Sequence, residues 1–266
     1  EEVIARSVKM LNNLTAELDL MRPSMLETGL ETIAYNINRK NTSISFFEMG
    51  KVYGKSGNGK YYESEQLAIY ISGKQNADGW RTKAQPADFF VAKGLATALF
   101  KLLGLPNGQW KSADPGQVNY TVDKKTVCSV EIIGTKKLQA FGIKQSVLYI
   151  QFDLANLLAL YQSQQVVYQE VSKYPSVERD IALVLPTATA YAAIEQSIAA
   201  VKLTALQQTS VFDIFESEKL GDQKKSVAIN FVFNAADKTL TDIEIDTMMK
   251  KLVKEFENNL QAEIRK

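Results

Sequence analysis

The 266-residue sequence predicts an α+β protein made of two domains. A single domain usually has about 100 to 200 residues, so this length favours two. Residues 1–170 mix helical and strand patterns, whereas residues 171–266 follow the order β-α-β-β-α-β. That order is typical of a ferredoxin-like fold, in which both helices pack on one face of a four-stranded sheet.

The first elements of domain one are a helix and a hairpin. Apolar residues at helical spacing predict an amphipathic helix over residues 22–38, with Pro23 in its first turn. Residues 43–53 and 66–73 have the composition of strands and flank a glycine-rich loop, so we expect them to pair as a hairpin.

The rest of domain one alternates between helix and strand. Residues 86–104 predict a helix that stops at Gly104. Short strands are then expected at TVCSVEII (126–133) and LQAFGIK (138–144), and YIQFDLANLLALY (149–161) returns toward helix. An antiparallel sheet with helices follows from this order.

Residues 171–175 predict a linker, because proline and the residue before it both resist helix. The elements expected after it are strands at 178–185, 207–216 and 224–234, helices at about 190–201 and from Thr241, and a short strand in the terminal AEIRK. Asp242 and Glu244 in the first turn of the last helix suit the helix dipole.

Alternation along the strands of domain two assigns side chains to two faces. The apolar set should lie under the helices: Ile181, Leu183, Leu185, Phe212, Ile214, Val227, Ile229, Phe231 and Phe233. The complementary set should form an open face: Asp180, Ala182, Val184, Asp213, Phe215, Ser226, Ala228 and Asn230.

The open face has the side chains that an unstacked nucleobase needs. Phe215 offers a ring for stacking, Asp213 and Ser226 offer hydrogen bonds, and Ala182 leaves room above the sheet. A guanine suits the carboxylate, because its N1 and N2 groups both donate. The alternative is that Phe215 packs under a loop or against the neighbouring domain and that Asp213 is merely solvated.

Basic residues cluster at the strand ends of domain two, where RNA phosphates would be met, although charge at such positions is usually solvated. They are Lys173, Arg179, Lys219, Lys224 and Lys225. Because the formal net charge is +1, any nucleic-acid contact must come from a local patch of this kind.

Composition excludes several kinds of catalytic site. The sequence has no histidine, which removes Ser-His-Asp and Cys-His pairs and imidazole zinc sites. Its one cysteine, Cys128, lies between the two valines of TVCSVEI, which predicts a buried structural thiol. No apolar run approaches the roughly 20 residues of a membrane span, so we expect a soluble, cytoplasmic protein. The Glu-Glu start indicates a piece excised from a longer chain.

Two series of segments resemble the beta subunit of bacterial phenylalanyl-tRNA synthetases. In domain two, SKYPSVERDIALVL, SVFDIFES, KKSVAINFVF, DKTLTDIEID and AEIR resemble its ferredoxin-like anticodon-binding domain in order and spacing. In domain one, MRPSMLETGLETIAYNINRKN, SFFEMGKVY, PADFFVAKGLATALFKLLG and IQFDLANLL resemble its catalytic-core-like domain. The resemblance therefore implies a class II synthetase-like antiparallel-sheet domain followed by a ferredoxin-like βαββαβ domain.

The family resemblance implies a role in an α2β2 enzyme. Its alpha subunit activates phenylalanine with ATP and magnesium, and its beta subunit supports assembly, editing and tRNA(Phe) recognition, without membrane or DNA contact. The beta core-like domain lacks catalytic residues. In this sequence Glu48 is present, but Phe46 stands where an ATP-binding FRxE motif has arginine. The resemblance thus implies no catalytic residue, metal or cofactor in this chain, with the editing and magnesium-associated regions lying before residue 1.

By resemblance, the anticodon guanine pocket falls on Ala182, Asp213, Phe215 and Ser226. The sequence departs from the family pattern at Phe215, where tyrosine is common, and at Glu27-Thr28, where Pro-Gly often breaks the helix. The helix containing Glu27 is expected to combine core packing with contact to the alpha subunit.

Two other functions remain as alternatives. Ferredoxin-like domains also bind amino acids as regulatory modules, but such a domain would place a Gly-rich turn after its first strand. The connection here is PTATAY, which has no glycine. An enzyme in its own right is disfavoured by the absence of histidine and of nucleotide-binding motifs.

Overall fold

The computed structural model describes residues 6–13, 15, 18–105, 108–163, 168, 170–217, 220–221 and 223–265. The chain divides into two compact units, residues 1–166 and 167–266. Within the described ranges, no helix has both the length and the apolar character that a bilayer span requires.

The first unit is built on an antiparallel sheet. Its described strands are β1 (Val8–Lys9), β2 (Leu20–Met21), β3 (Ile44–Lys55), β4 (Tyr61–Ser72), β5 (Gln109–Asp114), β6 (Gln117–Val122), β7 (Lys125–Ile132) and β8 (Val147–Asp153). Its described helices are α1 (Leu26–Asn38), α2 (Phe89–Leu102), α3 (Thr135–Ala140) and α4 (Leu154–Gln162). Six strands form one sheet in the order β3-β4-β8-β7-β6-β5, and β1 pairs with β2.

The six-stranded sheet buries apolar side chains on both faces. One cluster joins α2 and α4 to the sheet around Phe100, Ile150 and Phe152. The other joins α1 to the opposite face, where the Tyr70 hydroxyl donates a hydrogen bond to the Met25 carbonyl oxygen at 2.5 Å. The predicted β3–β4 hairpin is confirmed by continuous antiparallel pairing from Ile44–Ser72 to Lys55–Tyr61.

Both predicted helix starts in this unit lie near a local cap. Asp88 accepts a hydrogen bond from the Val91 N–H at 3.0 Å, and α2 follows it as expected. Helix α1 begins at Leu26, later than the predicted residue 22, because Pro23 lies before the helix and the Ser24 hydroxyl accepts from the Leu26 N–H at 2.9 Å.

The predicted strand at 138–144 is wrong. Residues 135–140 form α3, and the chain then turns through Gly142 at a φ of 70°. Leu138 and Ile143 are both buried, so the apolar spacing reflects a short helix and its exit. The predicted helix at 149–161 is half right: its first residues form β8, and Asp153 caps α4 by accepting from the Asn156 N–H at 2.8 Å.

The second unit has the predicted βαββαβ order. Its elements are β9 (Val177–Pro186), α5 (Tyr191–Val201), β10 (Leu206–Glu216), β11 (Lys224–Phe233), α6 (Asp242–Leu260) and β12 (Glu263–Arg265). The antiparallel sheet has the order β10-β11-β9-β12, with α5 and α6 packed on one face. The α+β fold class, a larger antiparallel sheet followed by a βαββαβ unit, is confirmed.

The core of the second unit contains seven of the nine predicted residues. The prediction is wrong for Phe212 and Ile214, whose side chains are each 60% exposed. A β-bulge between Val211 and Asp213 leaves Phe212 without a cross-strand partner, and Val211 packs against the core instead. The bulge explains the exposure of Phe212, because it adds one residue to β10. Ile214 pairs with Val227 on the helix side as predicted, but its side chain is not covered.

Candidate nucleic-acid interface

The sheet face opposite α5 and α6 carries the residues predicted for base recognition. Residues directly opposite each other in an antiparallel pair place their side chains on the same face. The register therefore defines two neighbouring rows that cross all four strands. The alanine row consists of Asp213, Ala228, Ala182 and Arg265, and the serine row of Phe215, Ser226, Val184 and Glu263.

The bulge in β10 gives Asp213 and Phe215 their place on this face. Val211 pairs with Ile229 on the helix side, and uninterrupted alternation from Val211 would put Asp213 on the helix side as well. The extra residue, Phe212, shifts the register by one, so that Asp213 pairs with Ala228 and Phe215 with Ser226.

The side chains of the two rows differ in exposure. The Phe215 ring is 47% exposed, and Asp213 is exposed with no hydrogen bond or ion pair to another described residue. Ala182 is half-buried, and Ser226 is 5% exposed between the two neighbouring strands. The structure brings all four predicted residues together, and their contact with a base stays a prediction.

Lys224 is a predicted cation that lies on the open face. It pairs with Pro186 at the end of the sheet, and its Nζ forms an ion pair with Glu263 Oε1 at 2.6 Å. Lys173 lies before β9 and pairs with Glu170 at 3.2 Å, with both side chains largely exposed. Lys219 lies outside the described residues.

Arg179 and Lys225 point to the helix side of the sheet. Arg179 pairs with Phe231, and its Nη2 donates to Asp242 Oδ1 at 2.8 Å in the first turn of α6. The Lys225 ammonium donates to the carbonyl oxygens of Thr187 and Thr189 at 2.9 and 2.8 Å. Both cations are thus engaged on the helix side of the unit, and their contact with phosphate stays a prediction.

The far end of the open face is acidic. Asn230 donates to Asp180 Oδ1 at 2.8 Å and to Glu178 Oε2 at 3.3 Å, which fixes two carboxylates beside the alanine row. An RNA backbone is disfavoured there by charge repulsion.

Sequence reasoning missed Arg265 and Glu263 as members of this face. The terminal AEIRK segment was predicted to form a strand, but the register of that strand against β9 was not predicted. The pairing of Arg265 with Ala182 and of Glu263 with Val184 places both on the open side.

The sheet of the first unit has an aromatic cluster where the resemblance would place a nucleotide. The Phe46 ring stacks on Tyr70 with centroids 4.6 Å apart, and Tyr70 contacts Tyr149 at 5.3 Å. Burial raises the pKa of both tyrosines well above the ordinary value. Arg22 Nη1 donates to Glu48 Oε1 at 2.5 Å, so this carboxylate is already paired.

The expected buried thiol is confirmed. Cys128 is 1% exposed within the cluster around Phe152, and desolvation raises its pKa far above the usual value. Among the described residues, no group of three or more His, Cys, Asp or Glu side chains has the geometry to hold a metal ion.

Comparison with protein families assigns both units. The family model described as the phenylalanyl tRNA synthetase beta chain CLM domain matches residues 2–154. The chain belongs to this family. The model of the ferredoxin-fold anticodon-binding domain matches residues 172–265, which contain both rows of the open face. The resemblance identified from the sequence is therefore confirmed, and the anticodon-binding assignment is favoured over a regulatory module.

Curated relatives agree with the family models. Phenylalanine–tRNA ligase beta subunits of Bacteroides fragilis, Streptococcus pneumoniae and Carboxydothermus hydrogenoformans are 33%, 32% and 30% identical to this chain. The matches cover 97%, 95% and 100% of this chain and 33%, 32% and 34% of those relatives. The chain thus spans about a third of the length of the curated relatives it matches.

Pyrrolysyl-tRNA synthetase from Desulfitobacterium hafniense is similar at the level of solved structures. The alignment covers 62% of this chain and 56% of that chain, with 13% sequence identity and a TM-score of 0.47.

Proposed function

We propose that this chain is a non-catalytic, C-terminal part of a phenylalanine–tRNA ligase beta subunit and that its second unit binds the anticodon of tRNA(Phe). The observation that supports this most is the grouping of Ala182, Asp213, Phe215 and Ser226 on one open face. That face belongs to a unit matched by an anticodon-binding family model.

The open face suits a guanine that has left the anticodon stack. The base would stack on the exposed Phe215 ring, a contact worth about 1 to 3 kcal/mol. Its N1 and N2 groups would donate to the Asp213 carboxylate, which is unpaired among the described residues, and hydrogen bonds to a charged acceptor are stronger than neutral ones. Ser226 adds a hydroxyl group, and the small side chain of Ala182 leaves space above the sheet for the base.

The proposal extends to the assembly that this chain would join. We place the domain boundary as predicted, at residues 1–170 and 171–266, with the first domain contacting the alpha subunit of an α2β2 enzyme in the cytoplasm. ATP and magnesium would serve the alpha subunit. The described residues around Phe46 do not fit ATP, because the Phe46 ring is stacked on Tyr70 where a phosphate-binding arginine would be needed and Glu48 is paired with Arg22.

The test compares Phe215→Ala with Ile214→Ala in the complex rebuilt with alpha subunit. Both changes truncate exposed apolar residues of β10, but Ile214 pairs with Val227 and so belongs to the helix side. We expect Phe215→Ala to weaken tRNA(Phe) binding by about 1 to 3 kcal/mol and Ile214→Ala to leave it unchanged. Equal affinities for wild type and Phe215→Ala would contradict the proposal.

A further inference from the structure

We infer that Arg265 is a further RNA-contacting residue, which binds the phosphate of the nucleotide whose base lies at Asp213 and Phe215. This inference rests on the proposed anticodon function and adds to it an orientation for the bound nucleotide. The base would lie at the β10 end of the face and the phosphate at the β12 end.

The strand register places Arg265 and Asp213 in the same row of the open face. Arg265 pairs with Ala182, Ala182 with Ala228, and Ala228 with Asp213, so a cation and a carboxylate stand at opposite ends of one row. Three strand spacings of about 4.8 Å separate them by roughly 14 Å at the backbone. They are too far apart to pair directly, and the two alanines between them leave a low floor for a nucleotide.

The Arg265 guanidinium is available to bind a phosphate. Its side chain is exposed and makes no hydrogen bond or ion pair to another residue in the part of the chain that the structure describes. The cation next to it on the same face, Lys224, is held by Glu263. Arg179 and Lys225 are engaged on the helix side.

The charges of the open face favour a phosphate at its β12 end. Asp180 and Glu178 make one side of the alanine row unfavourable for a phosphate, and Asp213 does the same for the β10 end. Arg265 remains at the β12 end, where its planar guanidinium can donate two parallel hydrogen bonds to a phosphate. A nucleotide that places its base on Phe215 is then oriented with its backbone toward Arg265.

The experiment measures RNA binding as a function of salt. The probes are tRNA(Phe) and an RNA hairpin carrying its anticodon arm, and the protein is this chain assembled with alpha subunit. The variants are Arg265→Ala, Arg265→Lys, Phe215→Ala and Lys251→Ala, the last removing an exposed cation of α6, the helix that packs on the opposite face of the sheet. Circular dichroism melts establish that each variant is folded.

A phosphate contact has a specific signature in these data. Arg265→Ala should weaken binding and make the plot of log K against log salt shallower by about 0.7, the value for one phosphate of a single strand. Arg265→Lys should restore the slope because it keeps the charge. Phe215→Ala should weaken binding with the slope unchanged, and Lys251→Ala should change neither quantity.

Two outcomes would overturn the inference and separate it from the function on which it rests. If Phe215→Ala weakens binding while Arg265→Ala leaves affinity and slope unchanged, the anticodon proposal stands and the role of Arg265 is wrong. If Arg265→Ala lowers affinity with no change in slope and Arg265→Lys does not rescue it, Arg265 does not bind phosphate. A Phe215→Ala variant with full affinity would instead refute the proposed function.

Discussion

Ala182 matters for recognition through the side-chain volume that it lacks. It lies between Arg265 and Ala228 in the alanine row and is half-buried at the floor of the open face. A longer side chain at this position would rise into the space that we assign to the base. Ala182→Val should therefore reduce tRNA(Phe) affinity by up to about 1 to 3 kcal/mol, the worth of the stacking contact that it would prevent.

The control for Ala182→Val is the stability of the fold. Because valine is well tolerated in strands, the melting temperature of the Ala182→Val variant should match or exceed that of wild type. The Ala182→Gly variant should bind tRNA normally. Full tRNA affinity in a folded Ala182→Val variant would show that no base enters there.

Helix α6 shows how one residue fixes the start of an element. The Thr241 hydroxyl accepts from the Glu244 N–H at 3.4 Å, and the Glu244 carboxylate accepts from the Thr241 N–H at 3.0 Å. Thr241→Ala should lower the free energy of unfolding by about 1 kcal/mol, and Thr241→Ser should retain most of it. Urea unfolding of the two variants tests this, and equal midpoints for Thr241→Ala and wild type would contradict it.

The same capping box predicts a pH dependence. The ammonium of Lys238 and the backbone and hydroxyl groups of Thr241 hold the pKa of Glu244 at about 2, below the ordinary 4.5. A lowered folded-state pKa contributes stability above pH 4.5 that is lost as the pH falls toward 2. The destabilisation by Thr241→Ala should accordingly shrink across that interval.

Helices and strands whose apolar residues recur at a single clear spacing were predictable from sequence. Segments with a mixed or weak apolar spacing were not. Helix α6 and strands β9 and β11 have clear apolar spacing, and their observed bounds agree with the prediction. The segment 138–144 failed because Leu138 and Ile143 are buried from a helix and from the chain leaving it. The strands β5 and β6 were not predicted: most of their side chains are not fully buried, so their apolar pattern is weak.

The candidate site was predictable in its members but not in its register. Asp213, Phe215, Ser226 and Ala182 were identified together, whereas no pattern in the sequence indicates that Arg265 lies opposite Ala182. Cross-strand register depends on where each turn ends and on the bulge at Phe212. Neither is visible in the pattern of apolar residues.

At the scale of the whole chain, the two units should differ in what they can do without partners. In the first unit, Phe46 is stacked on Tyr70 at the position where an ATP-binding motif would have its phosphate-binding arginine, and the nearby Arg22 is paired with Glu48. The isolated chain should therefore show no phenylalanine-dependent exchange of pyrophosphate into ATP. The complex rebuilt with alpha subunit is the positive control, and exchange by the chain alone would refute the assignment of a non-catalytic core.

The bulge at Phe212 determines which side chains of β10 lie on the open face. Every side chain of β10 after Val211 is assigned to one side of the sheet by its count from the bulge, whatever its chemistry. The loss or gain of a single residue there would turn Asp213 and Phe215 under the helices and bring Ile214 out in their place, with the composition almost unchanged. Insertions and deletions in this strand are thus a greater hazard to recognition than most substitutions.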